Sequence, residues 1–527
     1  MRKRWGAAAL VAPLFMSLVG TAHAEPGPLD EYYTQPVAWA ECPAGWVSPS
    51  TGVECATVIV PMDYKNPDNG NLEIAISRKK ATDPARRRGV LLTNPGGPGG
   101  SGLGAVHWFN AQTEVLKIYD VIGMDPRGVG RSTQLRCIST PSDDEFPSRP
   151  TDAQLSNWSE YARSVEANCE RGGGEMRRFV STMNTARDMD VIRGALGEKK
   201  VSYVGYSYGT QLGAVFGSMF PKSLDRSVLD SALDPLKTWH EQDVDVVDAI
   251  TDNLKKWTEW TAARNGTYGL GTTPTAVRAE LDAIAARLKV GPYGGYADVS
   301  SFDYAVGATR YRRSWAAFSR HIASIKAGSS DSGEAAAVVA ALKKGDIEPT
   351  SAGTYQAVTC EWDWFSDVNT YYNDMKRWRD TQPYGGTVDY MAPTNCTFRA
   401  FKRPEKIPAI TRKYPAGLVV NSDGDTQTPL ANGRVMAEHL GVPLINVAND
   451  GQHGHYALRR NACVDALVNK YLVSGVLPAS RVTCAGTDIA ENVPPGAVAS
   501  GSAAMSVQSS RPLSEILGEI AVETKPF

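Results

Sequence analysis

The sequence predicts an α/β protein whose doubly wound, mostly parallel sheet is interrupted by an inserted helical cap domain. Three observations predict it. Apolar runs of strand length alternate with helical patterns up to residue 235. Long helical patterns rich in Ala, Trp and Tyr then take over from 236 to 400. Strand patterning returns at "AGLVVNSDGD" and "PLINVANDG". A cap inserted into a split α/β domain accounts for that order.

The chain begins with "MRKRWGAAALVAPLFMSLVGTAHA", which has a basic start at Arg2, Lys3 and Arg4, an apolar middle, and small residues at Ala22 and Ala24. This is the pattern of an export signal cleaved after Ala24, and it predicts a secreted protein. Gly6 and Pro13 break the apolar run, and no later stretch approaches the ~20 apolar residues of a spanning helix. With 527 residues, 42% of them apolar and a net charge of −2, the chain has globular composition. It carries no electrostatic footprint for nucleic acid or an anionic membrane.

Between residues 54 and 135, "ECATVIVPMDY", "NLEIAISRKK", "GVLLTNPGG" and "YDVIGMDPRG" predict four strands. The last two are continuously apolar, as strands buried on both faces must be. "DAQLSNWSEYARSVEANCE" and "MNTARDMDVIRGALG" have helical periodicity, "VSYV" and "SLDRSVLD" are strands, and the cap helices include "VVDAITDNLKKWTEWTAARNG". The expected organisation is a signal over 1–24, a first core part over 25–235, a cap over 236–400, a second core part over 401–485, and a loosely ordered Gly/Ser/Ala-rich tail over 486–527.

"GYSYG" follows the strand beginning at Val201 and precedes a helical pattern. A serine between two glycines at a strand-to-helix turn is a nucleophile elbow, where larger residues at 205 and 209 would collide with their neighbours. The motif is short, and a plain glycine-rich turn is its alternative. "LLTNPGGPGGSG" ends another buried strand, and its glycines permit close backbone approach to a ligand. It lacks the dinucleotide and phosphate-loop patterns, so an oxyanion hole formed by the N–H groups of Gly97 and Tyr208 fits better than a phosphate cradle. A simple turn is again the alternative.

In "VNSDGDTQTPLANG", a calcium loop counted from Asp423 would place Thr428 and Arg434 at its sixth and twelfth positions, which excludes it. Asp425 is the better candidate to orient an imidazole, with Asp423 bracing the turn. Of seven histidines, only His439, His453 and His455 follow Asp425, and an α/β-hydrolase orders its triad serine, acid, histidine. His439 lies in a helical pattern. His453 sits on a glycine-flanked loop after a strand, and His455 at the start of a helix is its rival. The predicted triad is Ser207 as nucleophile, His453 as base and Asp425 as the group that fixes the imidazole tautomer.

Eight cysteines in an exported chain predict disulfides, and the simplest scheme joins neighbours: Cys42 with Cys55, Cys137 with Cys169, Cys360 with Cys396, and Cys463 with Cys484. Neither C-x-x-C nor H-E-x-x-H occurs, so neither a metal site nor a cofactor is expected.

Together "NPGGPGGSG", "GMDPRGVGRS", "GYSYGT", "DGDTQTP" and "GQHGHYALRRNACVDALVNKYLVSGVLP" resemble the secreted bacterial tripeptidyl aminopeptidases, in the proline-iminopeptidase-like branch of the α/β-hydrolase serine peptidases. The resemblance spans residues 40 to 485 and includes the cysteine frame. It implies the same triad, an oxyanion loop at Pro95-Gly96-Gly97, and release of short peptides, usually tripeptides, from free N-termini. Relatives carry Cys-x-Asp after "AVTC", whereas this chain has Cys360-Glu361-Trp362-Asp363. Glu361 and Asp363 are the expected acceptors for the substrate ammonium, with surface or structural pairing as the alternative for either acid. The partners expected are peptide or protein N-termini, met by a monomer. A secreted esterase or lipase and a prolyl aminopeptidase are the rival activities on the same fold.

Overall fold

The computed structural model describes residues 27–486 apart from 49–51, 139, 141, 143, 144, 331, 344–348, 404 and 413, together with Met1 and Leu513. The expected export signal and C-terminal tail otherwise lie outside the described residues.

Among the described residues ten strands form one sheet in the order β1-β2-β3-β5-β4-β6-β7-β8-β9-β10. They are β1 (Ala40–Glu41), β2 (Val53–Pro61), β3 (Asn71–Lys79), β4 (Gly89–Asn94), β5 (Tyr119–Met124), β6 (Val201–Tyr206), β7 (Leu224–Asp230), β8 (Gly417–Ser422), β9 (Leu444–Ala448) and β10 (Arg481–Ala485). Strands β1, β2 and β3 pair antiparallel, as does β3 with β5, and every pairing from β5 to β10 is parallel.

Side-chain alternation explains why the central strands are apolar throughout. Leu92, Tyr203, Leu229 and Val419 pack into the core on one face. Their chain neighbours Leu91, Val204, Val228 and Val420 pack into a separate core on the other. Burying one such Val or Leu stabilises the fold by roughly 1.5–3 kcal/mol, so a charge at Val204 would break the sheet's centre.

Between β7 and β8 the described residues form an inserted set of helices, referred to below as the cap. Its first helix, Trp239–Ala262, begins where Thr238 Oγ1 accepts the Glu241 N–H while Glu241 Oε2 accepts the Thr238 N–H at 2.7 Å, a reciprocal cap. Helices Pro274–Leu288, Val299–Val306 and Trp315–Lys326 share an apolar core with it. The earlier helix Leu155–Gly173, expected to serve the first core part, contributes Leu155 and Trp158 to a cluster with Val247, Met375, Trp378 and Met391 of the cap. Its polar face concealed that association.

Four disulfides join Cys42–Cys55, Cys137–Cys169, Cys360–Cys396 and Cys463–Cys484. Among the described residues no helix is long and apolar enough to cross a membrane.

Candidate active site

The parallel strands set the site's position. Asn94 at the end of β4 pairs with Gly205 of β6, Tyr206 with Asp230 at the end of β7, and Asp230 with Val420 of β8. The loops that follow these strands therefore emerge side by side at one edge of the sheet.

Ser207 stands between β6 and the helix Tyr208–Met219 with φ 55° and ψ −127°. A non-glycine residue with positive φ is strained, and such strain concentrates at functional turns. The flanking glycines are sterically required: a Cβ at Gly205 would lie 2.4 Å from the Gly209 carbonyl, and one at Gly209 would lie 2.8 Å from that of Asn94. The Ser207 N–H donates to the Asp230 carbonyl at 3.0 Å, while the serine itself remains half-buried in an otherwise buried turn.

The glycine loop after β4 packs directly on this elbow. A Cβ at Gly96 would stand 2.5 Å from the Tyr206 carbonyl, 2.9 Å from Ser207 Cβ and 3.1 Å from Tyr208 N. The Gly96 N–H donates to Asn94 Oδ1 at 3.0 Å and the Gly100 N–H to the Gly96 carbonyl at 3.1 Å. Among the described residues the N–H groups of Gly97 and Tyr208 have no hydrogen-bond partner. Asp125 anchors the far end of the loop. Its Oδ1 accepts from Ser101 Oγ at 2.6 Å and from the Gly102 N–H at 2.9 Å, and its Oδ2 from the Arg131 N–H at 2.7 Å. Burial pushes the Asp125 carboxyl above its ordinary range despite these donors.

Asp425 follows β8 and is 2% exposed. Its Oδ1 accepts from the Gln427 N–H at 2.8 Å, and its Oδ2 accepts from Thr428 Oγ1 at 2.7 Å and lies 2.8 Å from His453 Nδ1. Burial opposes ionisation here, but the adjacent His453 and the donated hydrogen bonds outweigh it and hold the carboxyl below its usual range. Asp423 braces the loops through its main chain, its carbonyl accepting the Gly451 N–H at 3.0 Å. From the cap, Asn253 Nδ2 donates to the Gly424 carbonyl at 2.8 Å, and Arg312 lies 3.7 Å from Asp423 and 3.3 Å from Asn449.

The structure brings His453 to the acid and holds His455 and His439 elsewhere. His455 is completely buried, its Nε2 3.1 Å from the Gln452 carbonyl. His439 Nε2 lies 2.9 Å from the Ile410 carbonyl at its helix end. The histidine loop is tied to the elbow by residues the sequence did not single out. Asp230 Oδ2 accepts the N–H groups of His455 at 3.0 Å and Tyr456 at 2.7 Å, Ser231 Oγ accepts that of Gly454 at 2.7 Å, and Tyr206 donates its hydroxyl to the Tyr456 carbonyl at 2.9 Å. The one available signal was Ser231 and Asp230 closing a strand beside the elbow strand, but such positions are common.

Of the two expected ammonium acceptors, Glu361 has its carboxylate engaged by protein donors and Asp363 is exposed. Glu361 is consumed internally: its carboxylate accepts from the main-chain N–H and the hydroxyl of Thr182, with Arg403 3.8 Å away. Asp363 is exposed at the surface. Among the described residues no group of three or more His, Cys, Asp or Glu side chains converges as metal ligands would.

Residues 89–347 match a family model described as alpha/beta hydrolase fold, and residues 382–484 match one described as TAP-like protein. The chain is 33% identical over 480 residues to a tripeptidyl aminopeptidase of Streptomyces coelicolor, covering 85% of this chain and 86% of that one. It is 26% identical over 529 residues to a serine protease of Mycobacterium tuberculosis, covering 91% and 97%. A carboxylesterase B of the same organism is 29% identical over 457 residues, covering 82% of this chain and 86% of that one.

Proposed function

This chain belongs to the tripeptidyl-aminopeptidase family of α/β hydrolases and is a serine-hydrolase peptidase, and we propose that it releases short peptides, tripeptides first among them, from free N-termini outside the cytoplasm. The observation that carries the catalytic part is the 2.8 Å approach of His453 Nδ1 to Asp425 Oδ2. A proton held on Nδ1 by the carboxylate leaves Nε2 as the basic nitrogen.

Ser207 Oγ attacks the scissile carbonyl carbon while His453 Nε2 takes its proton. The carbonyl oxygen becomes an oxyanion, met by the unengaged N–H groups of Gly97 and Tyr208. His453 then gives the proton to the leaving amine, and the C–N bond breaks to leave an acyl-Ser207 ester. Water, deprotonated by the same nitrogen, attacks that ester and frees the peptide. Asp425 stays ionised throughout and stabilises the imidazolium.

The four disulfides support an oxidising compartment. The carboxylesterase relative favours ester hydrolysis as a second reading. One experiment separates them: mass spectrometry of a defined peptide with a free amino end beside its N-acetyl twin. An N-terminal tripeptide released only from the free peptide supports the exopeptidase. Equal cutting of both, or hydrolysis of simple esters alone, refutes it. A serine-directed phosphonate should label Ser207 and no other serine.

A further inference from the structure

The cap carries one acid to the flank of the nucleophile elbow. The Glu361 side chain is 2% exposed, and its carboxylate accepts the main-chain N–H and the hydroxyl of Thr182. Thr182 is the first residue of the 14-residue helix Thr182–Ala195, so the anion also meets the positive end of that helix. Arg403, from the second core part, stands 3.8 Å away and supplies the countercharge. Its Nε donates to the Cys360 carbonyl and its Nη1 to the Val180 carbonyl, each at 3.2 Å. The Cys360 carbonyl takes a second bond from Arg399, and Cys360 itself is joined to Cys396. Glu361 is therefore held on both its main-chain and its side-chain side.

Beyond Thr182 the chain of hydrogen bonds continues to the elbow. The Thr182 hydroxyl has one proton, which it gives to Glu361, so its oxygen accepts from the Tyr208 hydroxyl 2.7 Å away. Thr182 is fully buried and Tyr208 is 4% exposed, which leaves little room for water to take either place. Tyr208 directly follows Ser207, whose φ of 55° and ψ of −127° must be imposed by its surroundings. Two other hydroxyls hold the turn from within: Thr210 Oγ1 donates to the Ser207 carbonyl at 2.6 Å, and Tyr203 to the Gly209 carbonyl at 2.7 Å. The Tyr208 tether alone leads away from the turn, through a second helix, to the cap. Fixing the far end of this side chain fixes the Cα from which the Tyr208 N–H departs.

Resting on the oxyanion donors proposed above, we infer that Glu361 is a positioning residue for the reaction: through Thr182 it holds Tyr208, and with it the N–H that meets the oxyanion. Glu361, Thr182 and Tyr208 then act as one unit, and the cap takes part in catalysis without touching the reacting atoms.

The test uses two readouts on the full-length enzyme. One is kcat and KM for trialanine p-nitroanilide. The other is the second-order rate of Ser207 modification by a small phosphonofluoridate, whose phosphoryl oxygen needs the oxyanion donors but which asks nothing of peptide specificity. Tyr208→Phe, Thr182→Val and Glu361→Gln should each lower kcat and the modification rate about 10-fold, below the ~10²-fold or more of a lost donor, with KM little changed. Thr182→Ser, which keeps the hydroxyl, should restore both. Tyr208→Phe combined with Glu361→Gln should lose no more than either alone, because the two residues touch only through Thr182. Unchanged rates in folded Tyr208→Phe, losses confined to KM, or losses that multiply in the double variant would overturn the inference. Tyr208→Phe removes one oxygen atom and keeps the ring, so it decides the question even where Glu361→Gln fails to fold. A wild type that cleaves no peptide anilide refutes the exopeptidase reading alone, and the modification rates still decide this one.

Discussion

The main-chain carbonyl of Asp230 accepts the Ser207 N–H at 3.0 Å, and the carboxylate of the same residue accepts the His455 and Tyr456 N–H groups at 3.0 and 2.7 Å. One residue at the end of β7 thus fixes the elbow on one side and the histidine loop on the other. Removing its carboxylate leaves two buried N–H groups without acceptors, at about 1–3 kcal/mol each. Asp230→Ala should lower stability and reduce kcat about 10- to 100-fold with KM little changed, as the His453 loop loosens. Asp230→Asn, which keeps one acceptor oxygen, should recover much of both. Steady-state kinetics with urea melts check this, and a KM effect equal to the kcat effect would count against a positioning role.

Gly96 cannot carry a side chain without moving the loop off the elbow, since its φ is 102° and a Cβ would meet the Tyr206 carbonyl at 2.5 Å. Gly96→Ala should stay folded and lose about 10²- to 10³-fold in kcat, the scale of a lost oxyanion donor. A near-native kcat in a folded Gly96→Ala enzyme would place the oxyanion donors elsewhere.

His453 and His455 should separate by the kind of damage they cause. His453→Ala should approach Ser207→Ala in loss of turnover, several orders of magnitude, because nucleophile and base act as a unit. His455→Ala removes a fully buried ring and its contact with the Gln452 carbonyl, so it should melt earlier while its folded fraction keeps most of its kcat. Activity measured against active-site titration distinguishes them, and the opposite pattern would move the base by two residues.

Asp425→Asn should cost about 10⁴-fold in kcat by permitting the wrong imidazole tautomer. Its effect on stability carries a definite sign with pH. The folded-state pKa of Asp425 is lowered, so its ionised form binds protons less readily in the native state than in the unfolded chain. The stabilisation is complete above the unfolded value of about 3.9 and disappears as pH falls through the lower folded value. The wild-type advantage over Asp425→Asn in urea melts should therefore shrink between pH 6 and pH 3. An advantage that grows on acidification would contradict the ionised, hydrogen-bonded carboxylate.

Much of the architecture was legible because local pattern and tertiary role agree. Strands β4, β5 and β6 are buried on both faces, so their apolar runs stand out. Gly205 and Gly209 flank Ser207 for a steric reason that one turn contains, and the order of Ser207, Asp425 and His453 follows the order of the strands that carry them. Strands β1 and β10 were not anticipated: they lie at the sheet's two edges and carry mostly exposed or half-buried residues, so no apolar run marks them.

By itself, then, the sequence determined the doubly wound sheet, the inserted helices and the glycine-flanked turn at Ser207, because each depends on residues a few positions apart. Only the tertiary structure decided which groups meet. Asp230 reaches the histidine loop across 225 residues, and Glu361 is spent on Thr182 across 179. An acid's role depends on which donors and charges surround it, and those arrive from distant parts of the chain.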